Sequence, residues 1–192
     1  MNHILTTCRE AAIAALPLVL LYILLDRLFF REPRRSAVYL VFSIYLAAMY
    51  AAAGLPDVLY VRFDPNFNFR PFQYMFSAWQ TTALNVMLFV PLGGLLPVLW
   101  NEYQSLPRTL CFGFALTFSI EFLQIFTYRA TDVNDLITNT LGTLAGYLAG
   151  TALLRRIPAI QPRDRGKDIH IVFASAGLVM YFVYPFLARM IL

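Results

Sequence analysis

The chain has 192 residues, 59% of them hydrophobic and 14% charged, with a mean hydropathy of +0.62. A soluble globular domain carries roughly 25% charged residues, so that class is excluded and a polytopic membrane protein in a single domain, 1–192, is expected. The formal net charge of +4 does not signal nucleic acid, because the basic residues are grouped between apolar runs, where they act as topology signals.

Six apolar runs are predicted as spanning helices, near 8–25, 36–55, 83–100, 109–127, 136–154 and 169–188. Each is close to the ~20 residues that cross a hydrocarbon core as a helix. Lipid offers no hydrogen-bond partner for open backbone, so helices are required. The expected fold is all-α: a transmembrane bundle of about six helices.

The first run is read as an uncleaved helix. Asp26, Arg27, Arg31, Arg34 and Arg35 follow it without a small-residue cleavage site, whereas a secretory signal carries its positive charge ahead of the apolar core. Loops one, three and five hold Arg27, Arg31, Arg34, Arg35, Arg108, Arg155, Arg156, Arg163, Arg165 and Lys167. Only Arg9, Arg62, Arg70, Arg129 and Arg189 lie on the other side. The richer side is expected to be cytoplasmic, which puts both termini and the loop between the fourth and fifth runs outside. The basic linker 155–168 fits contact with anionic lipid.

Cys8 and Cys111 are expected at opposite ends of their helices, roughly 25 Å apart along the membrane normal. No disulfide spans that distance. His3 and His170 are far apart and match no zinc spacing.

Residues 56–82 crowd Tyr60, Phe63, Phe67, Phe69, Phe72, Tyr74, Phe76 and Trp79 into one outward loop, with Pro65 and Pro71 preventing a continuous helix. They suit either an aromatic belt at headgroup level or a lid over polar residues. The third run carries Pro91, Gly93, Gly94 and Pro97 and is expected to be kinked. Asn85, near its outer end, reads as a cap.

The chemistry concentrates in residues 119–142. Thr117, Glu121, Gln124 and Tyr128 share one helical face. Ionisable groups in such segments usually face a bundle interior and mark a functional site. Arg129, where the chain turns, is the cation expected to pair with Glu121. Asp132 and Asp135 open the fifth run in near capping-box spacing, and Asn139 follows one turn deeper. Gly142, Gly146 and Gly150 then form a small-residue stripe for packing against the third or fourth helix, with dimerisation into a homo-oligomer as its alternative use. Glu121, Asp132 and Asp135 together could hold a divalent cation through oxygen, yet no metal or cofactor is assigned. Ser119 points away from the Glu121 face, so a serine triad is not expected.

On these residues the chain resembles the VanZ-like family over roughly 36–154. The matching text is NVMLFVPLGGLLP from Asn85, SIEFLQ from Ser119, Arg129, Asp132 with Asp135, and NTLGTLAGY from Asn139; Pro71-Phe72 fits the segment ahead of the Asn helix. The resemblance implies a bacterial cytoplasmic-membrane protein related to one linked with low-level teicoplanin resistance. Its family positions here are Asn85, Glu121, Gln124, Arg129, Asp132, Asp135, Asn139 and Gly142.

Three functions compete. The leading one is an outward polar cleft that binds a lipid, a lipid-linked cell-wall precursor or a lipoglycopeptide. There Arg129 holds an anionic group, Glu121 and Gln124 orient neutral groups, and the aromatic loop covers the apolar part. The second is an intramembrane enzyme with Glu121 as acid or base. The third is a structural scaffold.

Overall fold

The computed structural model describes residues 2–73, 75, 77–157 and 168–191. Arg163, Arg165 and Lys167 of the basic linker, Tyr74 and Phe76 of the aromatic loop, and the His3 side chain lie outside the described residues.

Most of the described residues are helical. Helix α1 (Asn2–Leu25) runs into a π turn (Asp26–Phe30), followed by α2 (Pro33–Ala53), α3 (Trp79–Leu99), α4 (Leu106–Gln124) and α5 (Val133–Arg156). Helix α6 (Asp168–Leu178) continues through a second π turn into α7 (Tyr184–Ile191). Five stretches are long and apolar enough to cross a membrane: Leu5–Phe30, Pro33–Ala53, Trp79–Leu99, Leu106–Gln124 and Asp168–Ile191. The first extends five residues past its expected end. Helix α5 is not among the five, because Asp135, Asn139 and its repeated Gly and Thr dilute its apolar content. It buries much of that polar stripe, from Asn134 and Asn139 to Thr143 and Gly150. A helix shielded by protein needs less lipid-facing hydropathy.

The chain divides into two compact units, residues 1–63 with 167–192, and residues 64–166. In the first, α1 buries Ala14, Leu18 and Tyr22 at helical spacing, α2 buries Tyr39, Phe42 and Leu46, and α6 buries Ile169, Val172 and Ala176. The Tyr22 hydroxyl lies 2.7 Å from Ser43 Oγ and 3.3 Å from Ser175 Oγ, tying three helices through one buried contact. Arg35 Nη2 pairs with Asp168 Oδ2 at 2.6 Å, and Arg35 Nε donates to Tyr39 Oη at 2.9 Å.

In the second unit, α3 lies directly on α5. Both prolines sit inside α3 without interrupting it. A Cβ placed on Gly146 would meet Val90 O at 2.0 Å, and one on Gly142 would meet Val86 O at 2.2 Å. The Gly142–Gly146–Gly150 stripe therefore packs on α3 within the chain, as small-residue seams do. Phe89, Leu92, Leu96 and Trp100 are fully buried in this unit.

Candidate functional site

The site is built where α4 ends and α5 begins. Asp132 is the N-cap of α5: its backbone is extended and its Oδ1 accepts from Asn134 N at 2.8 Å. In a capping box, the acid three residues later reaches back to the N-cap N–H. Here it does not. The Asp132 N–H goes instead to Glu121 Oε2 at 2.8 Å, and Asp135 Oδ1 accepts from Asn85 Nδ2 at 2.6 Å. The capping-box reading is thus corrected: α4 supplies the second half of the cap. Asn85 is likewise not a local cap but a bridge from α3 to α5. Glu121 is 3% exposed, and its backbone carbonyl also accepts from Thr131 Oγ1 at 3.0 Å.

One turn deeper, Asn139 Nδ2 donates to Thr117 Oγ1 at 2.8 Å, while Asn139 Oδ1 is buried without a hydrogen-bond partner among the described residues. Gln124 is buried on the Glu121 face of α4. Arg129 differs: it is exposed, its backbone N–H bonds Thr127 Oγ1 at 3.3 Å, and its charge attracts Glu121 and Asp135. The hydrogen-bond donor held by Glu121 Oε2 is a backbone N–H. Ser119 is exposed and donates to Ala115 O at 2.7 Å. Among the described residues, no three His, Cys, Asp or Glu side chains gather as a metal-ligand group.

The aromatic loop is strapped onto this cluster by its backbone. Phe67 and Asn68 pair in parallel with Thr131 and Asp132, and Thr131 N donates to Asn66 O at 2.8 Å. Asp64 N reaches Ile125 O at 2.9 Å, and Asn68 Nδ2 donates to Asp132 Oδ2 at 3.0 Å. Asn134 is the hub. Its Oδ1 accepts from Phe72 N at 2.6 Å, and its Nδ2 faces Arg70 O at 3.3 Å, Gln73 O at 3.4 Å and Asp132 Oδ1 at 2.9 Å. Phe72 sits in the left-handed region, φ 64°. The rings of Phe67, Phe69, Phe72 and Trp79 remain exposed, the first two stacked at 5.4 Å.

Sequence reasoning missed Asn134 and Asn68. The signal for Asn68 was the alternation Asn66-Phe67-Asn68-Phe69, which is the period of an extended strand with one polar edge. Asn134 was hidden between two acids that drew the capping argument.

The family model described as VanZ/LLP1 matches residues 18–154. Protein VanZ of Enterococcus faecium is 43% identical over 63 residues, which is 32% of this chain and 38% of that protein. The alignment thus covers about two fifths of that relative's length. No solved structure matches.

Proposed function

We propose that this chain, which belongs to the VanZ/LLP1 family, binds an amphiphile of the bacterial envelope on the strapped aromatic loop at the head of α5. The candidate ligands are a lipid, a lipid-linked cell-wall precursor and a lipoglycopeptide such as teicoplanin. In this reading the protein sits in the bacterial cytoplasmic membrane with this loop and both termini outside.

One observation carries the reading. Phe72 is left-handed with its N–H bonded to the Asn134 side chain, yet the residue is 63% exposed. A left-handed non-glycine residue costs about 1–2 kcal/mol, and among the described residues Phe72 gains little burial to offset it. Strain of this kind belongs to sites that hold something else. Phe67, Phe69 and Phe72 offer the apolar surface. Arg70 and Arg129, both exposed, supply guanidinium forks for a phosphate or carboxylate. Glu121, Asp132 and Asn134 act as positioning residues that keep the platform rigid, and Asn85, Asp135 and Asn139 extend the network inward. Glu121 fits positioning better than acid–base work, because Oε2 is already engaged by Asp132 N–H.

The test is teicoplanin binding to the purified chain together with glycopeptide susceptibility of cells expressing it. Phe72→Ala and Arg129→Ala should weaken both by about tenfold at unchanged protein level, while Glu121→Gln should retain both. Wild-type values in Phe72→Ala and Arg129→Ala would overturn the reading. The scaffold alternative draws support from the same network, since its polar groups largely satisfy one another. It predicts instead that every phenotype tracks protein abundance, with Glu121→Ala the most damaging change.

A further inference from the structure

The second left-handed non-glycine residue lies in the other unit. Arg31, φ 51°, ends the π turn that closes α1, and its N–H donates to Asp26 O at 2.8 Å. Glycine is the cheap residue for a helix C-terminus that turns left-handed. An arginine there is unfavourable on backbone grounds. Its guanidinium has no side-chain partner among the described residues to compensate.

The surrounding charges make the point sharper. Asp26 is consumed inward: its Oδ1 accepts from Ser36 Oγ at 2.6 Å and from Glu32 N at 3.0 Å. Arg35 is also consumed, by Asp168 and Tyr39. The remaining three arginines of the turn, Arg27, Arg31 and Arg34, are all exposed, and none has a side-chain partner among the described residues. Beside them Leu28 and Phe29 are 56% and 63% exposed. The turn joins two membrane-length spans, Leu5–Phe30 and Pro33–Ala53. It therefore lies at headgroup depth, where apolar side chains enter the acyl boundary and guanidinium groups meet phosphate.

We infer that the α1–α2 turn is a binding site for the headgroup of an anionic phospholipid, with Arg27, Arg31 and Arg34 on the phosphate and Leu28 and Phe29 against the adjoining acyl chain. Arg suits this better than Lys, because its planar fork meets phosphate oxygens in pairs. The left-handed backbone at Arg31 is the specific element. It sets the position and direction from which the Arg31 side chain leaves a closed turn. The attraction of scattered basic residues to an anionic leaflet has no such geometry.

The experiment compares phosphatidylglycerol with phosphatidylcholine retained by the full-length protein, measured by native mass spectrometry after reconstitution in equal mixtures. With three guanidinium groups, wild type should favour phosphatidylglycerol by roughly a hundredfold. Each guanidinium near a membrane surface contributes about a fivefold preference, so Arg31→Gly should lose about that much. Arg31→Gly should also raise the unfolding temperature, since the turn is then unstrained. Loss of lipid preference alongside a gain in stability is a pair of readouts that a structural role for Arg31 would not produce. Arg31→Lys should fall between the two. Arg108→Gln, at the exposed start of α4, should leave the preference intact. The inference is overturned if Arg31→Gly keeps the wild-type preference, or if Arg108→Gln lowers it equally, which would mark diffuse attraction instead of a site.

Discussion

The two units of this molecule are held together by different means. In the unit formed by α1, α2, α6 and α7, helices are spaced by large side chains. Tyr22 stacks on Phe30 with centroids 6.3 Å apart, Phe30 meets Tyr39 edge-on at 5.4 Å, and Phe42 meets Phe173 edge-on at 5.9 Å. In the unit formed by α3, α4 and α5, glycines bring backbones into contact, and side-chain amides and carboxyls close the outer end. Aromatic packing tolerates adjustment because rings shift within a shared volume. A backbone-to-backbone seam has no slack, since the atoms that would have to move belong to helices. The second unit thus holds the polar network at the head of α5 in a tightly fixed geometry. Its helices α3 and α4 and all but the last two residues of α5 fall within residues 18–154, the part matched by the family, while α6 and α7 lie beyond it.

The strongest way to break this contrast is to add volume to a glycine in each unit. Gly146→Leu would drive a side chain into Val90 O and the Gly94 backbone. Overpacking typically costs about 1–3 kcal/mol and more where nothing can yield, so no folded protein should be recovered from membranes. Gly177→Ala on α6 meets nothing within 4 Å. It should be neutral or raise stability by about 0.5–1 kcal/mol, because glycine is a poor helix residue. Equal outcomes in the two units, read from thermal unfolding in detergent, would erase the distinction.

Next in size is the charged anchor of the first unit. Arg35→Ala leaves Asp168 without its 2.6 Å partner where both side chains are largely buried. Breaking a buried pair from one side costs about 3–5 kcal/mol. The loss should appear as faster proteolysis of the α1–α2–α6 unit. A loss under about 1 kcal/mol would mean that aromatic packing alone suffices there.

Much of this was legible in the sequence, and the failures are instructive. The helices announced themselves by length and hydropathy, and the Glu121 face by its spacing of four and three. The Gly142–Gly146–Gly150 stripe was read as a packing seam, and α3 is its partner. The pairings at the head of α5 were not legible. Local rules assign the Asp132 N–H to Asp135, three residues on, because a capping box is a local device. The partner chosen by the fold is 11 residues upstream on another helix. Asn85 and Asp135 are separated by 50 residues, and no periodicity relates them. Tertiary hydrogen bonds of this kind depend on how helices pack, which a single sequence encodes only through the pattern of its small residues.

The smallest predicted effect tests the outer end of the second unit, and it turns on one acceptor atom. Glu121→Gln keeps a side-chain oxygen for the Asp132 N–H and removes only the charge. It should leave stability and the loop strap near wild type. Glu121→Ala removes the acceptor from a backbone donor at a largely buried position, which costs about 1–3 kcal/mol. The damage should spread along the chain of contacts from Glu121 to Asp132, Asn134 and Phe72. Hydrogen exchange at the Asp132, Thr131 and Phe72 amides should therefore rise in the alanine variant, while the α3–α5 seam stays protected. If glutamine proved as damaging as alanine, the negative charge itself would be the requirement, and Glu121 would have to be assigned to chemistry instead of to holding the loop in place.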